Sequence, residues 1–228
     1  MSHPIAFRAV RGLGTAVVAL IAVILVLETA GVVVRWLGYR SVSGRYEGTV
    51  SSAEYNAARD IMMPLEVGMW LLSVLLMFVT WIVLVVWMLR SRNNAQLVSL
   101  AQHHLSAPWA FWGWVVPVVS LWFPPLFLHD IARASNPQQR GTPLVPLWWI
   151  AWLAAWLTFW TGSVLTVAGI SEDHDTIQTL RDAEVDSLLT FSLLRTVAAL
   201  LFIAAGILLS TTVLKITRTQ SHWSPTRL

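Results

Sequence analysis

Cysteine is absent from this 228-residue sequence, and charged side chains make up only 12% of it. A chain without thiols forms no disulfide and no cysteine-ligated zinc or iron–sulfur centre, and it has no thiolate nucleophile. Hydrophobic residues make up 56% of the sequence, a larger share than soluble domains of this length contain. The composition therefore indicates a protein that folds in lipid.

The sequence also lacks features that mark enzymes and nucleic-acid-binding proteins. It contains no Gly-rich phosphate loop, no His-Glu-x-x-His zinc pair and no nucleophile elbow. The formal charge is +3, but its 15 Lys and Arg residues are scattered at the ends of apolar segments rather than gathered in one basic stripe. We therefore expect a protein that is not an enzyme, has no cofactor and has no nucleic-acid partner.

Four apolar stretches reach the roughly 20 residues needed to cross a bilayer. The first follows Arg8 and Arg11, but it continues past Glu28 without a small-x-small cleavage site, which predicts a retained helix rather than a signal peptide. Few residues remain outside these stretches, so we predict one polytopic membrane domain over residues 1–228. The predicted spans are residues 13–34, 65–89, 144–170 and 188–214.

A further hydrophobic segment, residues 109–134, is interrupted by proline. Each interior proline removes a backbone donor and clashes with the preceding turn. The 15 residues between Pro108 and Pro124 form a helix of only about 23 Å, whereas the hydrocarbon core is roughly 30 Å thick. The pattern favours an all-α protein with four transmembrane helices and a re-entrant or interfacial helical hairpin; the alternative is a fifth transmembrane helix. The prolines are Pro108, Pro117, Pro124 and Pro125.

Charges inside the predicted spans orient the chain. The counts of Lys and Arg do not decide the orientation, because nine of these residues fall on the cytoplasmic side and five outside in either topology. A lone charge in lipid normally faces a partner or water. With the hairpin re-entrant, Glu28 of the first span and Arg195 of the last lie near the same face, so that they can form an ion pair. We therefore predict that both termini are cytoplasmic.

Tryptophan extends into the third span beyond the interface positions that usually hold it. Trp152, Trp156 and Trp160 recur every four residues and so share one helix face. We expect this face to pack against small residues of a neighbouring helix; an aromatic cage for a cationic or sterol-like ligand is the alternative. The small residues are Ala198, Ala205, Gly206 and Ser210.

We predict no haem or metal site at the histidine and acidic side chains. His103 and His104 point about 100° apart on a helix, so we expect them at the interface rather than as paired haem ligands. An acidic cluster after the third span has the oxygen ligands that a divalent cation takes, but a solvated loop is the favoured interpretation. The cluster comprises Glu172, Asp173, His174, Asp175, Asp182, Glu184 and Asp186.

Trp, Pro, Arg and Asn form a long motif between residues 87 and 135. It consists of Trp87, Arg90, Asn93, Asn94, Ala95 and Leu97, then Pro108, Trp109, Ala110, Trp114, Pro117, Leu121, Trp122 and Pro124, and finally Ile131, Arg133, Ala134 and Ser135. This motif resembles a bacterial multi-pass membrane family, domain of unknown function 4328. The resemblance implies a membrane protein of the same architecture and implies no reaction. The chain departs from the family pattern at Ser120, Phe123 and Pro125.

The motif predicts a structural role near the hairpin. Arg90 is expected to end the second span as a cytoplasmic anchor, and Asn93 and Asn94 to cap the interrupted backbone of the hairpin. The favoured function is a non-enzymatic scaffold or accessory subunit of the bacterial plasma membrane, which docks a lipid or another membrane protein. The alternative is a small transporter or channel that uses Glu28, Arg195, Glu66 and the broken helix as its pathway.

Overall fold

The computed structural model describes residues 7–98, 103–136, 138, 141–170 and 176–223. These residues form helices and contain no strand, which confirms the predicted all-α fold. The helices are α1 (Arg11–Tyr46), α2 (Ser52–Val98), α3 (Trp109–Val115), α4 (Phe123–Ala134), α5 (Leu144–Ile170) and α6 (Ile177–Ser221), with a 3₁₀ turn at Val119–Leu121.

Four of the described helices, α1, α2, α5 and α6, are long and apolar enough to cross a membrane. Three of them are longer than their predicted spans: α1 has 36 residues, α2 has 47 and α6 has 45. At 1.5 Å per residue these helices measure roughly 54–70 Å, well beyond the roughly 30 Å of hydrocarbon. The helices therefore continue past the lipid, which the sequence analysis did not predict.

The link between α1 and α2 shows why both helices extend so far. Gly48 has a φ of 77°, a backbone conformation that glycine adopts without steric penalty, so the chain reverses there. The hydroxyl of Ser51 accepts the N–H of Glu54 at 3.2 Å, and the Glu54 carboxylate accepts the N–H of Ser51 at 2.9 Å. This capping box starts α2 well before the predicted span, and the helix then continues through Pro64.

Prolines set the limits of the hairpin formed by α3 and α4. Pro108 precedes α3, and Pro124 lies in the first turn of α4, where a missing N–H leaves no helical hydrogen bond unmade. Between the helices, the N–H of Val119 donates to the Pro117 carbonyl at 2.7 Å, which gives a tight turn with Val118 at φ 66°. With 7 and 12 residues, neither helix is long enough to cross roughly 30 Å of hydrocarbon.

The chain divides into two compact units. The first unit comprises Met1–Ala22, Leu76–Ile150 and Ala205–Leu228, and the second comprises Val23–Leu75 and Ala151–Ala204. In the first unit, the largest fully buried side chains come from all the long helices and from α4. They include Val17, Trp87, Met88, Phe127, Leu128, Ile131, Val145 and Val213.

Contacts inside the second unit give the helix directions. The helices α1 and α2 are antiparallel, since Arg45 stacks on Tyr55 while Arg35 pairs with Glu66 further along. Residue pairs 28–195 and 46–184 make α1 and α6 antiparallel, and pairs 156–202 and 162–194 do so for α5 and α6. It follows that α2 and α5 run in opposite directions. Within the first unit, Gln220 contacts Ser91 near the end of α2 and Ser135 just after α4, so the end of the hairpin lies beside the end of α2.

Candidate functional site

Asn94 is the centre of a buried hydrogen-bond network in the first unit. Its side chain is only 2% exposed, and its two polar atoms hold the backbone of Arg8. The Arg8 N–H donates to the Asn94 carbonyl oxygen at 2.9 Å, while the Asn94 amide donates to the Arg8 carbonyl at 2.8 Å. Asn94 therefore holds the segment before α1 rather than the hairpin, so its expected role as a hairpin cap is wrong. Asn93 is exposed.

Gln220, in the last turn of α6, extends this network. Its amide nitrogen donates to the Ser91 carbonyl at 2.9 Å and to the Ser135 hydroxyl at 2.8 Å, and its oxygen accepts from Asn94 at 3.4 Å. It is 4% exposed. The network thus joins the end of α2, the residue after α4 and the end of α6, and Asn94 brings the start of the chain to the same place.

Gln220 was missed because it lies outside the motif. Its position had a signal, since Val213, Ile216 and Gln220 recur at the spacing of one buried helix face. Another motif residue, Trp87, is fully buried and donates its indole N–H to the Thr217 hydroxyl at 3.0 Å. Arg90 lies at the same end of α2 and contacts the Ala9 carbonyl at 3.4 Å.

The segment that leads into the hairpin is held by Asp130 of α4. Its buried carboxylate accepts the backbone N–H of His104 at 2.7 Å and lies 2.7 Å from His104 Nδ1. Arg92 donates to the Leu105 carbonyl at 3.0 Å. Burial lowers the pKa of the neighbouring His103 below its ordinary value of 6.5, and the positive charge of Arg92 adds to this effect. These partners lie far apart in the sequence, and the sequence analysis found none of them.

Aromatic rings pack the hairpin within the first unit. Trp109 meets Phe123 edge to face, with 4.8 Å between ring centroids, so the two short helices close on each other. Trp114 packs on Trp149 of α5 at 5.9 Å, whose indole donates to the Leu121 carbonyl. The other motif residues here differ in exposure. Pro117 and Trp122 are exposed, Arg133 is partly buried, and Ala95, Pro124 and Ser135 are buried.

Two arginine–glutamate pairs lie within the second unit. Arg195 donates to Glu28 at 3.2 Å, and both side chains are only 16% exposed. The structure thus brings together the two charges that the sequence analysis had singled out. Arg35 pairs with Glu66, a partner that the sequence analysis did not assign. Each guanidinium also stacks on an aromatic ring at 4.7 Å, Arg35 on Phe191 and Arg195 on Phe159.

The second unit also contains a cavity of about 190 Å³ beside the Arg35–Glu66 pair. Arg59, Tyr39 and Tyr55 line its polar part. The Nε atom of Arg35 is buried and has no hydrogen-bond partner among the described residues. The cavity therefore combines two cationic groups, one carboxylate and two phenols.

The aromatic face of α5 contacts a large ring of α6. Trp152 and Trp156 meet the ring of Phe202 at 5.5 and 5.6 Å within the second unit. Trp160 is 59% exposed.

The predicted acidic cluster is only partly described. Glu172, Asp173, His174 and Asp175 lie outside the described residues, whereas Asp182 is exposed and accepts a hydrogen bond from Gln178 at 3.0 Å. Glu184 accepts one from Tyr46. Among the described residues, no group of three His, Asp or Glu side chains is placed to hold a metal ion.

Comparison with protein families gave one match, which covers the motif, the hairpin and three of the four long helices. The matching family is described as Domain of unknown function (DUF4328), and the match covers residues 49–218. Comparisons with curated proteins and with solved structures gave no match. The family match extends over most of the sequence and includes every motif residue from Trp87 to Ser135. The chain therefore belongs to the family Domain of unknown function (DUF4328).

Proposed function

We propose that this membrane protein is a non-enzymatic scaffold or accessory subunit of the bacterial plasma membrane. Its proline–tryptophan hairpin, held at the end of α2, would dock a lipid or another membrane protein. The observation that carries this proposal is the use of the motif's polar groups. Asn94 and Ser135 are buried and bonded to the protein itself, so these motif residues form a frame rather than an open reaction centre.

The ion pairs of the second unit support the same interpretation. A charged side chain inside a membrane normally lies beside a partner of opposite charge. Glu28 and Glu66 each have an arginine partner. Each pair joins the two helices that carry its side chains. We therefore assign these pairs to helix packing.

A flux measurement separates the scaffold from a transporter. The full-length protein is reconstituted into liposomes loaded with a pH-sensitive dye, and a potassium diffusion potential drives protons across the membrane. The proposal expects the proton flux to equal that of protein-free liposomes. A flux that exceeds this background and disappears in the Glu28→Gln variant would reject the scaffold.

Transport is the second candidate, and the 190 Å³ cavity is the observation that favours it. Membrane cavities lined by ionisable groups commonly mark substrate or ion pathways. Arg35 and Arg59 give the cavity one more positive than negative charge in its lining, which favours an anion. Uptake of a small carboxylate or phosphate into proteoliposomes, lost in Arg59→Gln, is the result expected for this candidate.

We also propose that both termini face the cytoplasm. Cysteine substitutions in this thiol-free chain test the orientation, because each variant carries a single reactive group. Ser106→Cys and Gln138→Cys, at exposed positions on either side of the hairpin, should react with an impermeant maleimide only from the cytoplasmic side. Arg181→Cys should react only from outside. Labelling of Ser106→Cys and Gln138→Cys from opposite faces would mean that the hairpin crosses the bilayer.

A further inference from the structure

A polar cavity of about 380 Å³ lies in the first unit, where the end of α4, the start of α5 and the last turns of α6 meet. Its volume falls within the range of small-molecule binding sites. Neither the motif network nor the hairpin packing accounts for an open space at this place. The polar residues of the lining are Ser135, Asn136, Gln138, Thr142, Thr212, Lys215 and Thr219.

Lys215 gives this cavity its charge. It is the only lysine in the sequence, its side chain is exposed, and no carboxylate of the described residues lines the cavity with it. No salt bridge or hydrogen bond occupies its ammonium group among the described residues. A lysine ammonium is a compact cation that commonly binds phosphate, so the lining favours an anion.

Neutral donors line the same cavity as this charge. Thr142 accepts the N–H of Leu144 at 3.4 Å, so its own hydroxyl hydrogen remains available to a ligand. Gln138, which is exposed, adds a side-chain amide to the lining. A phosphate oxyanion takes several donors at once, and hydroxyl and amide groups next to a lysine supply them.

The position of the cavity along the helices identifies the source of the phosphate. Leu144 is the first residue of the third predicted span, and Lys215 is the first residue after the fourth. The cavity therefore lies where apolar helix gives way to polar chain, which is the level of the lipid headgroups. At this level, anionic lipids are the phosphate compounds that the protein meets at the highest local concentration.

We infer that this cavity binds the phosphate of an anionic phospholipid headgroup, with Lys215 as the counter-charge and Thr142 and Gln138 as hydrogen-bond donors. This inference deepens the proposed function, since it names the lipid that the scaffold docks. It does not depend on the absence of flux, because the two properties are measured in separate experiments.

The single lysine allows a direct test. The full-length protein is placed in phosphatidylcholine vesicles with and without phosphatidylglycerol, treated briefly with an amine-acylating reagent, and the modified peptides are quantified by mass spectrometry. Phosphatidylglycerol should slow the acylation of Lys215 by more than about fivefold, the factor expected for a lysine that is only attracted to an anionic lipid surface. A slowing of about fivefold or less overturns the inference.

An internal control separates this cavity from the general charge of the membrane surface. Arg218→Lys keeps the charge and adds a second acylation site on the same helix, at an exposed position outside the cavity. Lys215 should be protected more strongly than this new lysine, and Thr142→Val, which removes one of the two assigned donors, should reduce the difference. Equal protection at both positions would mean surface attraction only and would overturn the site.

A last arm distinguishes lipid from soluble phosphate. The protein in neutral detergent is acylated with and without inorganic phosphate, and phosphatidylglycerol is then added to the micelles. Protection by the lipid alone supports the inference. Protection by inorganic phosphate at the same concentration would overturn the lipid as the source, because the cavity would then bind phosphate without the surrounding bilayer.

Discussion

Replacing Asn94 by leucine tests whether the buried network holds the start of the chain. The change removes two hydrogen bonds, of 2.9 and 2.8 Å, to the backbone of Arg8. Each such bond contributes about 1 kcal/mol, and an N–H or carbonyl left unpaired adds to the loss, so Asn94→Leu should lower the free energy of unfolding by about 2–3 kcal/mol. For a chain of this size that corresponds to a decrease in melting temperature of roughly 5–10 °C.

The adjacent residue provides a matched control. Asn93→Leu makes the same chemical change one position earlier, at an exposed site, and should alter the free energy of unfolding by less than about 0.5 kcal/mol. Both variants are measured by circular dichroism melting in the same detergent, and by hydrogen exchange at the Arg8 amide, which should speed up only in Asn94→Leu. Equal destabilisation by the two substitutions, or an unchanged Arg8 exchange rate, would refute the reasoning.

Three further predictions concern the hairpin turn, the ion pair and the segment that leads into the hairpin. Val118→Gly should raise the free energy of unfolding by about 1 kcal/mol in chemical denaturation, because a β-branched residue at φ 66° is strained; a loss of stability would contradict this. Arg195→Gln and Glu28→Gln should each lower the melting temperature, and the double variant should lose less than the sum, since each single change leaves a charge without its partner; strictly additive losses would show that the pair contributes nothing. The wild type should lose stability as the pH falls below 6.5, because the lowered pKa of His103 means that only the unfolded chain takes up that proton. His103→Gln should show a smaller loss over that pH range in melting experiments at several pH values, and an identical pH profile would refute the assignment. The charged groups around this histidine are Arg92, Asp130, Arg133 and His104.

The spans could be predicted because burial in lipid depends on apolar runs, which a sequence displays directly. The ends of the helices could not be predicted in this way. The predicted first span ends at residue 34 and the second begins at residue 65, yet α1 continues to Tyr46 and α2 begins at Ser52. Contacts of Arg35 with Glu66 and of Arg45 with Tyr55 join the two helices in these extensions. Depth along a span likewise placed Glu28 near Arg195, since equal distances from the helix ends predict equal height. The depth of a residue along a span can therefore be read from the sequence alone.

The partners of most other polar residues were beyond prediction from the sequence. The motif identified Asn94 and Ser135 as unusual, but their contacts with Arg8 and Gln220 depend on how helices from distant parts of the chain are arranged sideways. Hydropathy indicates how deep in the membrane a residue lies, but not which residues it contacts. For the same reason Asn94 was assigned to the nearby hairpin rather than to a segment 86 residues away.

The buried amides of Asn94 and Gln220 also favour the correct arrangement of the helices during assembly. Helices that insert one by one are each stable in lipid before they associate, so apolar contacts alone discriminate weakly between one neighbour and another. A bundle that closes with α6 rotated breaks the hydrogen bonds of Gln220 to Ser91, Ser135 and Asn94, and any of these groups that stays buried then lacks a partner, which is unfavourable. A few polar atoms therefore favour one arrangement of the helices over rotated ones.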